Sequence, residues 1–396
     1  MNYILFDDPV FRANLLPFTF TKPVSEIRCG IDTITEKWTD FLGQKPSFLS
    51  QDYLQTKYEL LIENDNVFIN GALIPNQTLL EALGNLAANT GLFQGEILLA
   101  YRGKTLDFEP KNQLFLESKI TIISSLVSIF TENPNQITAD FQRITLNKQS
   151  EIITDKFTMC YAPQNIFIEK GANLKACILN AENGPIYIGK NAQIQEGAII
   201  QGPFALSENS VISLGAKIRG GVSIGPNCKV GGEVSMSVFL GNSNKGHDGY
   251  LGCSVIGEWC NLGANTNNSN LKNDWTNVKL YNYRTAQLED TQKQFVGLFM
   301  GDFCKVGIST MFNTGTVMGL SANVFGSGFQ DKFIPSFSWG GADTGLLPYR
   351  LDKALQVAKA TMARRNITMT DAEEAIFRYV CQREGGSIKE ISSDKQ

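Results

Sequence analysis

Broken into sixes, residues 188–236 read IGKNAQ IQEGAI IQGPFA LSENSV ISLGAK IRGGVS IGPNCK VGGEVS M. The head of every group is aliphatic: Ile188, Ile194, Ile200, Leu206, Ile212, Ile218, Ile224, Val230 and Met236. If roughly one residue in four is of that type, nine in a row arise by chance at about 4 × 10⁻⁶ per starting point. A second, mostly small series follows the heads by four: Ala192, Ala198, Phe204, Ser210, Ala216, Val222, Cys228 and Val234. Helices repeat apolar positions at three and four, and flat strands at two. A period of six belongs to a solenoid in which three short strands close a triangular coil, with head residues pointing inward and small ones at the bends. Gly after the head, as at Gly189, Gly225 and Gly231, permits tight backbone there. Stacked coils bury a continuous core that no single coil can bury.

The same period recurs outside this stretch. Ile168 and Leu174, with Ala172 and Ile178, precede it. Ile256 and Leu262, with Cys260 and Thr266, follow it. A last run holds Met300, Val306, Phe312, Met318 and Val324, with Thr310, Thr316 and Ala322. Two interruptions, 241–252 and about 267–294, are expected to loop out, and loops on a rigid scaffold are where function concentrates.

At 396 residues the chain is long enough for two or three domains. A net charge of −4 without a dense Lys/Arg run gives no footprint for nucleic acid. The start MNYILFDDPV is not a leader pattern, and no window holds eighteen apolar residues in a row, so a soluble cytoplasmic protein without membrane contact is expected. Eight cysteines without a C-x-x-C pair, and one histidine, argue against zinc, redox and His-rich metal sites, so no metal residue is assigned.

Lys245-Gly246-His247-Asp248-Gly249-Tyr250-Leu251-Gly252, then Val255-Ile256-Gly257 and Asn261-Leu262-Gly263-Ala264-Asn265-Thr266, resembles a known pattern. It is similar to the acetyltransferase half of bacterial N-acetylglucosamine-1-phosphate uridyltransferase/glucosamine-1-phosphate acetyltransferases, which are hexapeptide-repeat acyltransferases. The likeness is close over about 210–275. It implies a left-handed parallel β-helix, acetyl-CoA as cosubstrate, and an amino-sugar phosphate or sugar nucleotide as acceptor. It makes His247 the general base, a role that suits imidazole near neutral pH. It places Arg219, Tyr250 and Asn261 on the acceptor, and Ala264, Asn270 and Ser309 on the coenzyme. The family's Glu-x-Lys-Lys segment is replaced here by Glu233-Val234-Ser235-Met236-Ser237, which leaves Lys245 or Lys272 to meet the acceptor's phosphate.

Nearer the start, strand-like runs (Tyr3 to Phe6, Val67 to Ile69, Ile97 to Ala100) alternate with helix-like ones (Asp32 to Leu42, Gln77 to Leu86), the pattern of an α/β sheet. Arg12-Ala13-Asn14-Leu15-Leu16-Pro17-Phe18-Thr19, followed by Lys22-Pro23, is similar to the signature of sugar-nucleotide pyrophosphorylases. That resemblance implies a Rossmann-related nucleotidyltransferase domain in which Arg12 and Lys22 bind phosphates, with Mg²⁺ if the domain is active. The chain departs from the signature twice. Phe6-Asp7-Asp8-Pro9-Val10-Phe11 stands where a glycine-rich loop is usual, and Asn70-Gly71 replaces a metal-binding Gly-Asp pair. Nucleotide binding is therefore expected to be weak, and pyrophosphorolysis slow or undetectable.

Three parts result: a nucleotidyltransferase-like domain and connecting segment (1–160), the β-helix (161–335) and a helical tail (336–396). The tail reads as two helices, Tyr349 to Arg365 and Thr370 to Glu384, the second with a capping box at Thr370 and an apolar stripe of Ala375, Ile376, Tyr379 and Val380. The N-terminal domain is expected to cap one end of the prism. Its bare parallel faces then favour a homotrimer, and the resemblance implies that acceptor and coenzyme lie in a cleft between the coils of neighbouring subunits. Two further readings remain: a bifunctional enzyme that also makes a sugar nucleotide, and a non-catalytic protein that binds one.

Overall fold

The computed structural model describes residues 1–384, so the end of the expected tail, 385–396, lies outside the described residues. Ile188, Ile194, Ile200, Leu206, Ile212, Ile218, Ile224 and Val230 all point into one interior and are essentially buried. Their small partners Ala192, Ala198, Phe204, Ala216, Val222 and Cys228 join the same cluster. Both series are inward for one reason: each coil stacks in register on the next. Ile194 lies beside Ile212 and Ile212 beside Val230, and Ile188 beside Leu206 and Leu206 beside Ile224. Two faces each stack nine parallel strands, one of them ending in an added antiparallel strand; the third stacks six and then three. The chain from Met159 to Gly341 thus forms nine triangular coils of a parallel β-helix.

The period slips in the middle. Ile194 pairs with Ile212, eighteen residues on, but Ile218 pairs with Val234, sixteen on, and Val230 with Lys245, fifteen on. Val234 therefore takes the interior place. Met236, expected inside, turns a corner at φ +43° and packs against the N-terminal domain. Nor does 241–252 loop out: Asn244–Lys245 and Tyr250–Gly252 are ordinary coil strands, reached by the shortened turns. The second interruption does leave the coil, as an antiparallel hairpin of Lys279–Asn282 against Gln287–Asp290.

The N-terminal sheet has strands β1 (Asn2–Phe6), β2 (Ser47–Leu49), β3 (Asn66–Asn70), β4 (Thr90–Gln94), β5 (Ile97–Gly103) and β6 (Asn112–Phe115), in the order β2-β1-β3-β5-β4-β6. Helices α1 (Pro9–Asn14), α2 (Ile34–Leu42), α3 (Gln77–Gly84) and α4 (Leu126–Thr145) complete the domain. Thr33 and Glu36 form a capping box on α2, whose Trp38 is fully buried and donates its indole N–H to the Leu73 carbonyl at 3.0 Å.

This domain does not cap an end of the prism; it lies along one flat face. Leu5, Val24, Trp38, Val67 and Phe130 share a single core with Val238, Leu240, Val255, Phe299 and Val317, which point outward from the coils. A strand row buried on both sides carries apolar residues on both, and this face does. Asn133 on α4 ties the join by accepting from Ser223 Oγ (2.9 Å) and Gly30 N (2.7 Å) and donating to the Gly221 carbonyl (3.0 Å).

Beyond the coils, α5 (Leu351–Ala363) and α6 (Asp371–Glu384) pack through Ala354, Leu355, Ala358, Met362, Phe377 and Val380 onto Trp259, Leu320 and Phe337 of the solenoid and Phe20 of the first domain. The capping box at Thr370 and Glu373 forms. The buried stripe of α6 is Ile376, Phe377 and Val380. Ala375 and Tyr379, expected inside, are exposed, and Tyr379 stacks on Tyr53 with ring centroids 4.1 Å apart. The third face, with Ile199, Lys217, Arg219, Glu233 and Tyr250 pointing outward, has neither domain over it.

Candidate functional site

Strands Asn244–Lys245 and Tyr250–Gly252 belong to different faces, so residues 246–249 turn the corner between them. His247 sits at that corner and is exposed. Gly249 has φ +121°, and a Cβ there would lie 2.1 Å from the Thr266 carbonyl oxygen, so only glycine permits this tight turn. Lys245 fixes the turn from inside. The stacking puts it in line with Ile212 and Val230, and its ammonium donates to the carbonyls of Gly231 (3.2 Å), His247 (3.0 Å) and Gly249 (2.8 Å). Burial lowers its pKa to about 8, against the pull of Asp248. Lys245 is thus a buried anchor beneath His247, with no ammonium free for an acceptor phosphate.

On the uncovered face beside the corner, Tyr250 Oη meets Ser235 Oγ at 3.2 Å and accepts from Asn270 Nδ2 at 3.0 Å. Glu233, opposite Tyr250 in the ladder, pairs with Arg219 at 2.8 Å. That pair is half open to water and weak, so Arg219 can be recruited by an anion. One coil further along the corner, Asn265 N donates to the Asp248 carbonyl at 2.9 Å, and next to it Ser309 N donates to the Ala264 carbonyl at 2.8 Å. His247, Ala264 and Ser309 therefore follow one another along an edge, with Tyr250, Asn270 and Arg219 on the face beside it. The corner offers an imidazole, and the face a hydroxyl, an amide and a guanidinium. Asn261 lies on the opposite side of the edge, on the face of Asn244. Lys272 lies in the turn leading to the hairpin, near Asp274 at 3.2 Å.

The N-terminal cations are not brought to this cluster, and both are already occupied. Arg12 is buried and donates to the Thr19 carbonyl (2.6 Å) and the Tyr53 hydroxyl (2.8 Å), with Asp7 at 4.0 Å. Lys22 reaches across the domain join to two solenoid carboxylates, Glu258 at 2.9 Å and Asp302 at 3.1 Å. Burial alone would lower the pKa of Lys22, but Asp302 and then Glu258 outweigh it and hold it above the ordinary lysine value. Burial pushes the Asp7 carboxyl up, against Arg12. Asn70 is buried, with Nδ2 donating to the Leu98 carbonyl and Oδ1 accepting from Ala72 N. That donor set does not suit Mg²⁺, which prefers carboxylates and water. Among the described residues, no three His, Cys, Asp or Glu side chains converge as a metal site.

Residues 3–149 match the sugar nucleotidyl transferase family model. Curated relatives include two archaeal proteins named bifunctional protein GlmU. The one from Methanocaldococcus jannaschii is 36% identical over 104 residues, 26% of this chain and 25% of that protein. The one from Methanococcus aeolicus is 34% identical over 87 residues, 22% and 20% of the two chains. The chain thus spans a quarter or less of the length of these relatives. Solved structures with some likeness include the polySia specific acetyltransferase NeuO (14% identity, TM-score 0.28, covering 48% of this chain and 81% of that one). Another is Arabidopsis UDP-N-acetylglucosamine acyltransferase (13%, 0.22, 55% and 78%). The likeness thus covers a sugar nucleotidyl transferase region at 3–149 and a stretch of about a hundred residues shared with the GlmU-named proteins.

Sequence reading missed Ser235, Glu258, Asp302 and Asn268. Asn268 had a signal: it falls six residues after Leu262, at an inward position. It is buried there, bonding both N–H and carbonyl of Gly252 beneath Tyr250. A polar residue where the period demands an aliphatic one, here as at Lys245, marks the coils that carry the cluster. Glu258 and Asp302 had no such signal, because their partner lies 236 or more residues away.

Proposed function

We propose that this chain is a transferase of sugar-nucleotide metabolism of the two-domain, bifunctional kind. Its solenoid moves an acetyl group from acetyl-CoA to an amino-sugar phosphate or sugar nucleotide, and its N-terminal domain engages a sugar nucleotide. The observation that carries the first part is His247, exposed at a corner fixed from within by Lys245, with Tyr250 and Asn270 on one side and Ala264 and Ser309 along the edge. In this reading the imidazole takes a proton from the acceptor's amine as nitrogen attacks the thioester carbonyl. The C–N bond forms, the C–S bond breaks, and the proton passes to the departing thiolate. Tyr250 and Arg219 orient the sugar and its phosphate, with Asn270, which donates to Tyr250, left to the coenzyme side, so that binding energy positions the amine. No helix of the described residues is long and apolar enough to cross a membrane.

The match over 3–149 and the bifunctional relatives favour a second activity, nucleotidyl transfer, over a solenoid acting alone. For it to operate, Lys22 must leave Glu258 and Asp302. Two assays test the readings: release of free thiol from acetyl-CoA with a panel of amino-sugar phosphates and UDP-amino sugars, and pyrophosphorolysis of UDP- and dTDP-sugars with Mg²⁺. His247→Ala should lower acetyl transfer by roughly 10²- to 10⁴-fold with no loss of stability. Wild-type rates in that variant would end the acyl-transfer reading.

A further inference from the structure

The hairpin that leaves the coil after Asn268 borders, with the neighbouring coil, an open cleft of about 580 Å³. Its wall carries Lys272, Lys279 and Lys332, brought together from the turn, the hairpin and a later coil, against one lining carboxylate, Asp290. Lys332 is partly buried, and its pKa is lowered by burial and then by Lys272 and Lys279. All three line one wall; Lys332 Nζ also donates to the Lys279 carbonyl at 3.4 Å, and Lys272 Nζ to Asp274 at 3.2 Å and to the Thr276 hydroxyl, which leaves one lining carboxylate against three lysines. Trp275 lines the same cavity and is 63% exposed, an unusual place for the largest apolar side chain. It is held there in the left-handed region, φ +59°, by two bonds: its N–H donates to the Lys272 carbonyl at 3.1 Å, and its carbonyl accepts from Gln294 Nε2 at 2.8 Å.

A concave wall with a surplus of positive charge and one exposed indole on a pinned backbone selects a ligand that carries several negative charges and a flat ring. We propose that this cavity binds the phosphate-bearing end of a nucleotide, with Lys272, Lys279 and Lys332 on the phosphates and Trp275 stacked on the base. Asn270, bonded to Tyr250, lies two residues ahead of Lys272, so the turn joins this cavity to the face that carries the candidate acceptor residues. The proposal rests on the acyl-transfer reading only in naming the two nucleotides that could bring such an end, coenzyme A and a UDP-sugar.

The test is tryptophan fluorescence of the full chain, with isothermal calorimetry alongside, titrated with coenzyme A, dephospho-coenzyme A, UDP and UDP-N-acetylglucosamine. Saturable quenching by coenzyme A, weaker with the dephospho form, assigns the site to the acyl donor; quenching by UDP and its sugar assigns it to the acceptor. In either case Trp275→Phe should abolish the quenching, and the double variant Lys279→Ala/Lys332→Ala should weaken Kd at least tenfold and reduce its salt dependence. His247→Ala should quench as the wild type does. Quenching without acetyl transfer would leave this site standing and remove the acyl-transfer reading. Acetyl transfer with no heat and no quenching from any of the four ligands, or an unchanged Kd in the double lysine variant, would overturn the site. Circular dichroism of each variant checks that the fold is intact.

Discussion

Replacing Asp302 with Ala removes two contacts across the join between the domains and one within the solenoid. Asp302 Oδ2 pairs with the Lys22 ammonium at 3.1 Å and accepts from the Thr21 hydroxyl, while Oδ1 accepts from Glu258 N at 2.7 Å. The Lys22 and Asp302 side chains are only 5% and 3% exposed, so little water can replace what is lost. Breaking a buried ion pair by deleting one partner costs about 3–5 kcal/mol. Glu258 stays at 2.9 Å from Lys22, but its side chain is one-third exposed and its attraction is partly screened. The loss should therefore be about 3 kcal/mol, read by urea unfolding. Lys22→Met/Asp302→Leu should recover part of it, since the one carboxylate then left without its partner, Glu258, is one-third exposed and can be solvated. The pH dependence has two sides. Lys22, raised above 10.5, contributes fully below that pH and loses its contribution as pH climbs through the folded value. Glu258, lowered below 4.5 by Lys22 against burial, contributes above 4.5 and loses it as pH falls through the folded value. Asp302→Ala within 1 kcal/mol of wild type would refute the claim that this pair locks the solenoid onto the first domain.

Three other outcomes are expected. Gly249→Ala, which puts a methyl 2.1 Å from the Thr266 oxygen at a φ that L-residues avoid, should cost about 2 kcal/mol or more and distort the His247 corner, seen as a drop in acetyl transfer larger than the drop in folded fraction. Because Lys245 has its folded pKa at about 8 against 10.5 unfolded, the unfolded chain binds the extra proton in that window and wild-type stability should rise from pH 8 to 10.5. Lys245→Met should lack that rise, about 3 kcal/mol at most, when the two are compared by denaturant titration across pH. With one coil face uncovered, we also propose a homotrimer: sedimentation should give about three times 43.7 kDa, and differently mutated inactive subunits should regain activity on mixing. A fully active monomer would refute it.

The fold was legible because a solenoid's interior repeats along the chain, so Ile188 to Val230 announce their partners eighteen residues away. The slip after Val230 was not legible. Losing two or three residues from a turn shifts the heads onto Val234 and Lys245, and nothing local distinguishes a shortened turn from a projecting loop. Arg12 and Lys22 were readable as cations of a phosphate-binding signature. Their neutralisation was not, since it depends on carboxylates placed by tertiary packing of another domain. Lys245 shows the same limit at shorter range: a motif gives the residue type, while the coil decides which way its side chain points.

The shared core beneath the first domain also bears on how the chain is made. Leu5, Val24 and Trp38 leave the ribosome early, whereas Phe299 and Val317, which close the same core, are added much later. At roughly 5–20 residues per second, about 10–30 s separate synthesis of residue 149 from that of residue 317. During that interval the nascent domain holds an apolar side that is covered only coil by coil, as Val238, Leu240, Val255, Phe299 and Val317 are added in turn. The first part to be synthesised is thus among the last to be finished, and a molecular chaperone that shields that side during translation has a defined surface to hold.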